Sequence, residues 1–211
     1  VLVYLVVCFF VFLAGFVDSI AGGGGLISLP AYMIAGLPVH TAIATNKMSS
    51  SMGTFVASFH YMRQGFMKWK ICIPAVFGAI AGSWIGSHLA LLISEKALKI
   101  AMLVVLPVIL FYVLRSKALK GKDENATEVI NGMLIFKSIL IAAVVGIYDG
   151  IYGPGTGTFL MLLFTGFCHM TLNDAAGATK AINLTTNITA LVVFLILSLI
   201  HISEPTRQAE I

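Results

Sequence analysis

Four charged residues stand at or beside breaks in otherwise apolar sequence: Asp18, Asp149, Lys47 and Lys180. Asp18 precedes the run Gly22, Gly23, Gly24, Gly25, and Asp149 precedes Gly153-Pro154-Gly155-Thr156-Gly157. A charge inside a membrane costs a few kcal/mol or more, so it is expected to face inward and to do something there. Either carboxylate suits proton coupling or holds the opened backbone; the plainer alternative is a cap on the half-helix that follows. The glycines would leave backbone N–H groups at half-helix N-termini, where partial positive charge suits an anion. Close helix packing alone is the alternative. A nucleotide-binding P-loop is excluded, because no Lys-Ser/Thr follows the glycines. Lys47 follows Thr45 and Asn46, and Lys180 sits between Thr179 and Asn183. These lysines would neutralise an anionic substrate while the amides and hydroxyls bond its oxygens. The competing role is snorkelling to the membrane interface.

Other chemistry finds little support. His40, His60, His88 and His169 are dispersed and match no metal-ligand spacing. Cys8, Cys72 and Cys168 occur singly in apolar runs and form no CxxC, so they read as small packing residues. No catalytic residue, metal or cofactor is read from the chain. Its formal charge of +4 falls in short loops, not on an aromatic-interleaved patch, and nucleic acid is not an expected partner.

The elements that must position these residues are membrane helices. With 59% hydrophobic and 10% charged residues, the chain falls far from a soluble domain. The expected fold is all-α, a polytopic helical bundle of two homologous repeats, each with a glycine-rich broken or re-entrant helix. The duplication is legible as a register: Gly15 pairs with Gly146, Asp18 with Asp149, Gly22 with Gly153 and Gly24 with Gly155, all 131 apart.

The first repeat is placed at 1–115, with spans over 1–17, Thr41 to Tyr61, 71–94 and 100–114. A linker covers 116–131, and a truncated second repeat 132–200, with spans from Gly132 to Tyr148 and over 176–200. The breaks run over Asp18 to Gly25 and Asp149 to Gly157, and 94–99 and 169–174 read as polar turns. Residues 201–211, HISEPTRQAEI, read as a non-native tail, and the chain as a fragment without its last spans. The basic loops 62–70 and 115–131 are expected on the cytoplasmic side of a bacterial inner membrane. Gly78, Gly82 and Gly86, four apart, form a small-residue packing face. The short pieces 26–36 and 158–166 are too short to span and are taken as re-entrant. That gives four spans per unit and halves related in parallel; if the pieces span, the halves invert.

GFVDSIAGGGGLISLP followed by AIATNK, and GIYDGIYGPGTGTFL followed by AGATKAIN, resemble the sulfite exporter TauE/SafE family across residues 1 to 200. The resemblance implies a transporter of small anions such as sulfite, sulfonates and related sulfur-containing organic anions. The site expected from the residues lies near the midplane between the two breaks, with the lipid bilayer and the anion as partners and proton coupling at Asp18 or Asp149. Two rivals stand beside it: a non-transporting assembly or anchoring component, in which Cys72 and Cys168 would matter, and a transporter whose Asp18 and Asp149 bind a cation. Oligomeric state is not specified by the sequence.

Overall fold

The computed structural model describes residues 2–21, 23–115 and 130–202. Gly22, most of the linker and the tail beyond 202 lie outside them. In a water-free layer every backbone N–H and C=O must be paired within its own segment, so the apolar runs fold as helices. Six are long: α1 (Leu2–Ala21), α3 (Val39–Arg63), α4 (Trp69–Leu92), α5 (Glu95–Arg115), α6 (Gly132–Ile151) and α8 (Leu172–Ile202). Two are short: α2 (Gly25–Ile34) and α7 (Thr156–Gly166). At 1.5 Å per residue the short ones reach only about 15 Å, half a bilayer.

Inside and outside are exchanged relative to a soluble protein. Phe12, Phe55, Phe77 and Phe136 are exposed, whereas Asn46, Lys47, Asp149, Lys180 and Asn183 are buried. Among the described residues Trp69–Leu92, Gly132–Ile151 and Leu172–Leu197 are long and apolar enough to cross a membrane. The protein is a helical membrane bundle.

Several boundaries differ from expectation for local reasons. α6 continues through Asp149 to Ile151, so the second break narrows to Tyr152–Gly155. α8 begins at Leu172, not near 176, because the Thr171 hydroxyl accepts the Asp174 N–H at 3.3 Å and caps the helix. Ser94 caps α5 in the same way through the Ala97 N–H, which removes the expected polar turn at 94–99.

Two apolar clusters hold the bundle, one toward each end. One joins Met67, Ile71 and Cys72 to Leu134, Phe164, Cys168 and Met170. The other joins Leu29, Tyr32 and Val39 to Ala90, Leu98 and Phe194. Cys72 and Cys168 thus serve as packing residues. Between the ends, α4 and α6 lie backbone to backbone and parallel: Gly78 faces the Ile139 carbonyl, Gly82 that of Ala143, and Gly86 that of Ile147. The small-residue face of α4 therefore packs on α6.

Element directions correct the expectation of parallel halves. Val7 and Val11 of α1 pack at the second cluster, and Gly24 lies against Ala14 and Asp18, so α2 folds back along α1. At the other end, the Lys137 amine reaches the Phe167 carbonyl at 3.5 Å, so α7 folds back along α6. Each pair enters and returns at one end, leaving α3, α4 and α5 as an odd number of crossings between them. α3 and α8 consequently run antiparallel, with Ser58 donating to the Lys180 carbonyl at 3.0 Å.

Candidate functional site

The polar residues of α3 and α8 lie two to three turns inside each helix, level with the two breaks. Lys47 Nζ sits 2.8 Å from Asp149 Oδ2, the two side chains 0% and 1% exposed. Lys180, also buried, donates to the backbone carbonyl of Asp18. Each lysine thus reaches the break that its own stretch of chain does not contain, since α3 and α8 cross antiparallel.

Each half-helix N-terminus already holds a carboxylate. The Gly24 N–H at the start of α2 donates to Asp18 Oδ1 at 3.1 Å. Thr156, the first residue of α7, places its hydroxyl 2.6 Å from Asp149 Oδ1 and 2.7 Å from the Gly153 carbonyl. Gly153 turns with φ +95°, and a Cβ there would lie 2.6 Å from Lys47 Nζ and 2.8 Å from Asp149 Oδ1. The backbone is moulded on the ion pair, and only glycine fits. The two N-termini meet: a Cβ on Gly25 would lie 3.2 Å from Pro154 Cα.

Between them is a cavity of about 10 Å³ lined by Asp18, Gly25, Asn46, Ser50, Asp149, Gly153, Gly155, Thr156, Asn183 and Asn187. That is room for about one water. A second cavity of about 120 Å³ shares Asp18 and Ser50 with it and extends past Ser19, Ser28 and Ser49. The two lysines and two aspartates balance formally, while each helix N-terminus adds roughly half a positive charge. The sum at the centre is a net positive potential.

Of the residues anticipated from sequence, Asp18, Gly25, Asn46, Asp149, Gly153, Gly155 and Asn183 line the cavity, Lys47 and Lys180 reach its aspartates, and Gly24 caps α2. Thr45 is not brought in; its hydroxyl bonds the Thr41 carbonyl of its own helix at 2.8 Å. Gly23 and Gly157 are buried beside the site, Thr179 is buried with its hydroxyl unbonded, and Gly22 lies outside the described residues. Ser50, Thr156 and Asn187 also line the cavity; they belong to the polar helix starts and the second break but were not expected individually as ligands. The i, i+4 spacing of Asn46 with Ser50 and of Asn183 with Asn187 was a signal for two of them, because such pairs share a helix face.

The chain is similar to three bacterial proteins named "probable membrane transporter protein". The one from Sinorhizobium sp is 34% identical over 87% of this chain and 69% of its own length. That of Haemophilus influenzae is 31% identical over 88% and 71%, and YfcA of Escherichia coli 34% over 90% and 70%. No solved structure matches the chain. Residues 7–205 match the family described as sulfite exporter TauE/SafE, and with the relatives this settles the assignment: the chain belongs to the sulfite exporter TauE/SafE family of membrane transporters.

Proposed function

We propose that the protein is a secondary active transporter of small anions, with sulfite, sulfonates and related sulfur-containing organic anions as the substrate class, in a bacterial inner membrane. The observation that carries this reading is the meeting of two half-helix N-termini, Gly25 against Pro154, beside Lys47 and Lys180. A helix N-terminus carries partial positive charge, so the two ends direct it at one point. Asn46 and Asn183 would orient the oxygens of the anion, and the aspartates would couple protons or hold the breaks. Opposed hairpins suit alternating access, with one hairpin moving against the other around a fixed site. No catalytic step is assigned.

Thermal unfolding of the purified protein in detergent, with sulfite, sulfate, thiosulfate, sulfoacetate, taurine and acetate, tests the reading. A ligand at 100 times its dissociation constant adds about 2.7 kcal/mol of stability. Stabilisation by a sulfur oxyanion, lost in Lys47→Ala, is the expected result. Stabilisation by cations alone, or an unchanged response in Lys47→Ala, sinks the anion site.

A further inference from the structure

Resting on that anion-site reading, we infer that binding the anion and protonating Asp149 are one event, and that Asp149, not its repeat counterpart Asp18, carries the coupled proton. Lys47 already has a counter-ion, Asp149, at 2.8 Å with neither group exposed. The adjoining cavity of about 10 Å³ holds about one water, not a sulfur oxyanion. An incoming anion can engage Lys47 only by taking Asp149's place. The displaced carboxylate would then be buried without a partner cation, which is strongly unfavourable. Taking one proton from solution removes that charge: the carboxylate becomes a carboxylic acid, Lys47 stays charged, and the anion becomes its new counter-ion. The Thr156 hydroxyl, bonded to Asp149 Oδ1, can switch to the Gly153 carbonyl as the carboxyl leaves.

Asp18 lacks this arrangement. Its carboxylate is half-buried and accepts the Gly24 N–H, and Lys180 binds its backbone carbonyl. An anion can therefore reach Lys180 without displacing the Asp18 carboxylate from its cap. The groups facing Asp149 are Lys47 from α3, Asp18 across the cavity on α1, and Tyr148 and Tyr152 beside it, while Lys180 of α8 turns to the Asp18 carbonyl. From α7 the Thr156 hydroxyl bonds it, while α4 presents the backbone of Ser83 and Ser87 to the neighbouring Gly150. Lys47 is thus the only cation in direct contact with it among the described residues.

The test measures dissociation constants of sulfate and of sulfoacetate across pH for the purified protein and for Asp149→Asn and Asp18→Asn, with proton uptake recorded in weakly buffered solution. The expected result for the native protein is one proton taken up per anion and affinity falling about tenfold per pH unit on the alkaline side. Asp149→Asn binds with no pH slope; Asp18→Asn keeps the slope. Because Asp149→Asn leaves a lone buried lysine and can fail to fold, proton uptake per bound anion in the native protein and the slope of Asp18→Asn decide the coupling without it. Binding without proton uptake, a slope that survives in Asp149→Asn, or one lost in Asp18→Asn overturns the coupling and leaves the anion site standing. No binding of any anion at any pH overturns both.

Discussion

At the scale of single residues, the site is an ion pair around which the backbone had to be shaped. Gly36 and Gly153 both have positive φ, +93° and +95°, but nothing lies within 4 Å of a Cβ at Gly36. Alanine at either position carries backbone strain of about 1–3 kcal/mol. Only Gly153→Ala also drives a methyl group into Lys47 Nζ and Asp149 Oδ1. We therefore expect Gly36→Ala to lower the unfolding temperature and keep anion binding, whereas Gly153→Ala loses anion binding as well. Thermal shifts with and without sulfate read both effects; equal anion responses in the two variants would mean the break is not moulded on the pair. The sequence already showed these residues as special, since charges beside glycines in apolar runs need an explanation. It could not show which lysine meets which aspartate: Lys47 and Asp149 are 102 positions apart, and their pairing depends on helix directions that no local pattern encodes.

At the scale of elements, the breaks and the glycine face of α4 were legible because both are periodic or punctuated features of one segment. The partner of that face was not picked out, although Gly146 and Gly150 of α6, four apart, close on the backbone of Ala79 and Ser83 in return. The contact makes a prediction with its own control. A Cβ at Gly82 or Gly86 would run into the carbonyls of Ala143 or Ile147, which cannot move without separating two helices. Gly82→Ala should cost about 1–3 kcal/mol of stability through overpacking. Gly53→Ala, in α3 with nothing within 4 Å, should instead gain up to about 1 kcal/mol from helix propensity. Unfolding in mixed detergent micelles compares them, and equal effects would remove the close α4–α6 contact from the account of stability. The starts of α5 and α8 were missed for a different reason: Ser94 and Thr171 were read as turn residues, when a hydroxyl at that place begins a helix.

At the scale of the molecule, the direction of each element decides which loops share a side. α3 is 25 residues long, about 37 Å, so Leu37 before it and Gln64 after it belong to opposite faces. Arg63, Lys68 and Lys70 gather at the second of these ends, where Lys68 lies 3.6 Å from Asp174 at the start of α8. The positive-inside rule predicts that this end is cytoplasmic, and the first residues of α6 and α8 lie there too. With Cys8, Cys72 and Cys168 replaced, Gln64→Cys should react with an impermeant maleimide only in inside-out vesicles, and Leu37→Cys only in right-side-out ones. Asn131→Cys, at the start of α6, should label with Gln64→Cys. Labelling of Asn131→Cys from the opposite face would require an even number of crossings between the two hairpins, and so a parallel relation between them. Agreement with Gln64→Cys fixes the odd number on which opposed hairpins, and a site approached from both sides, depend.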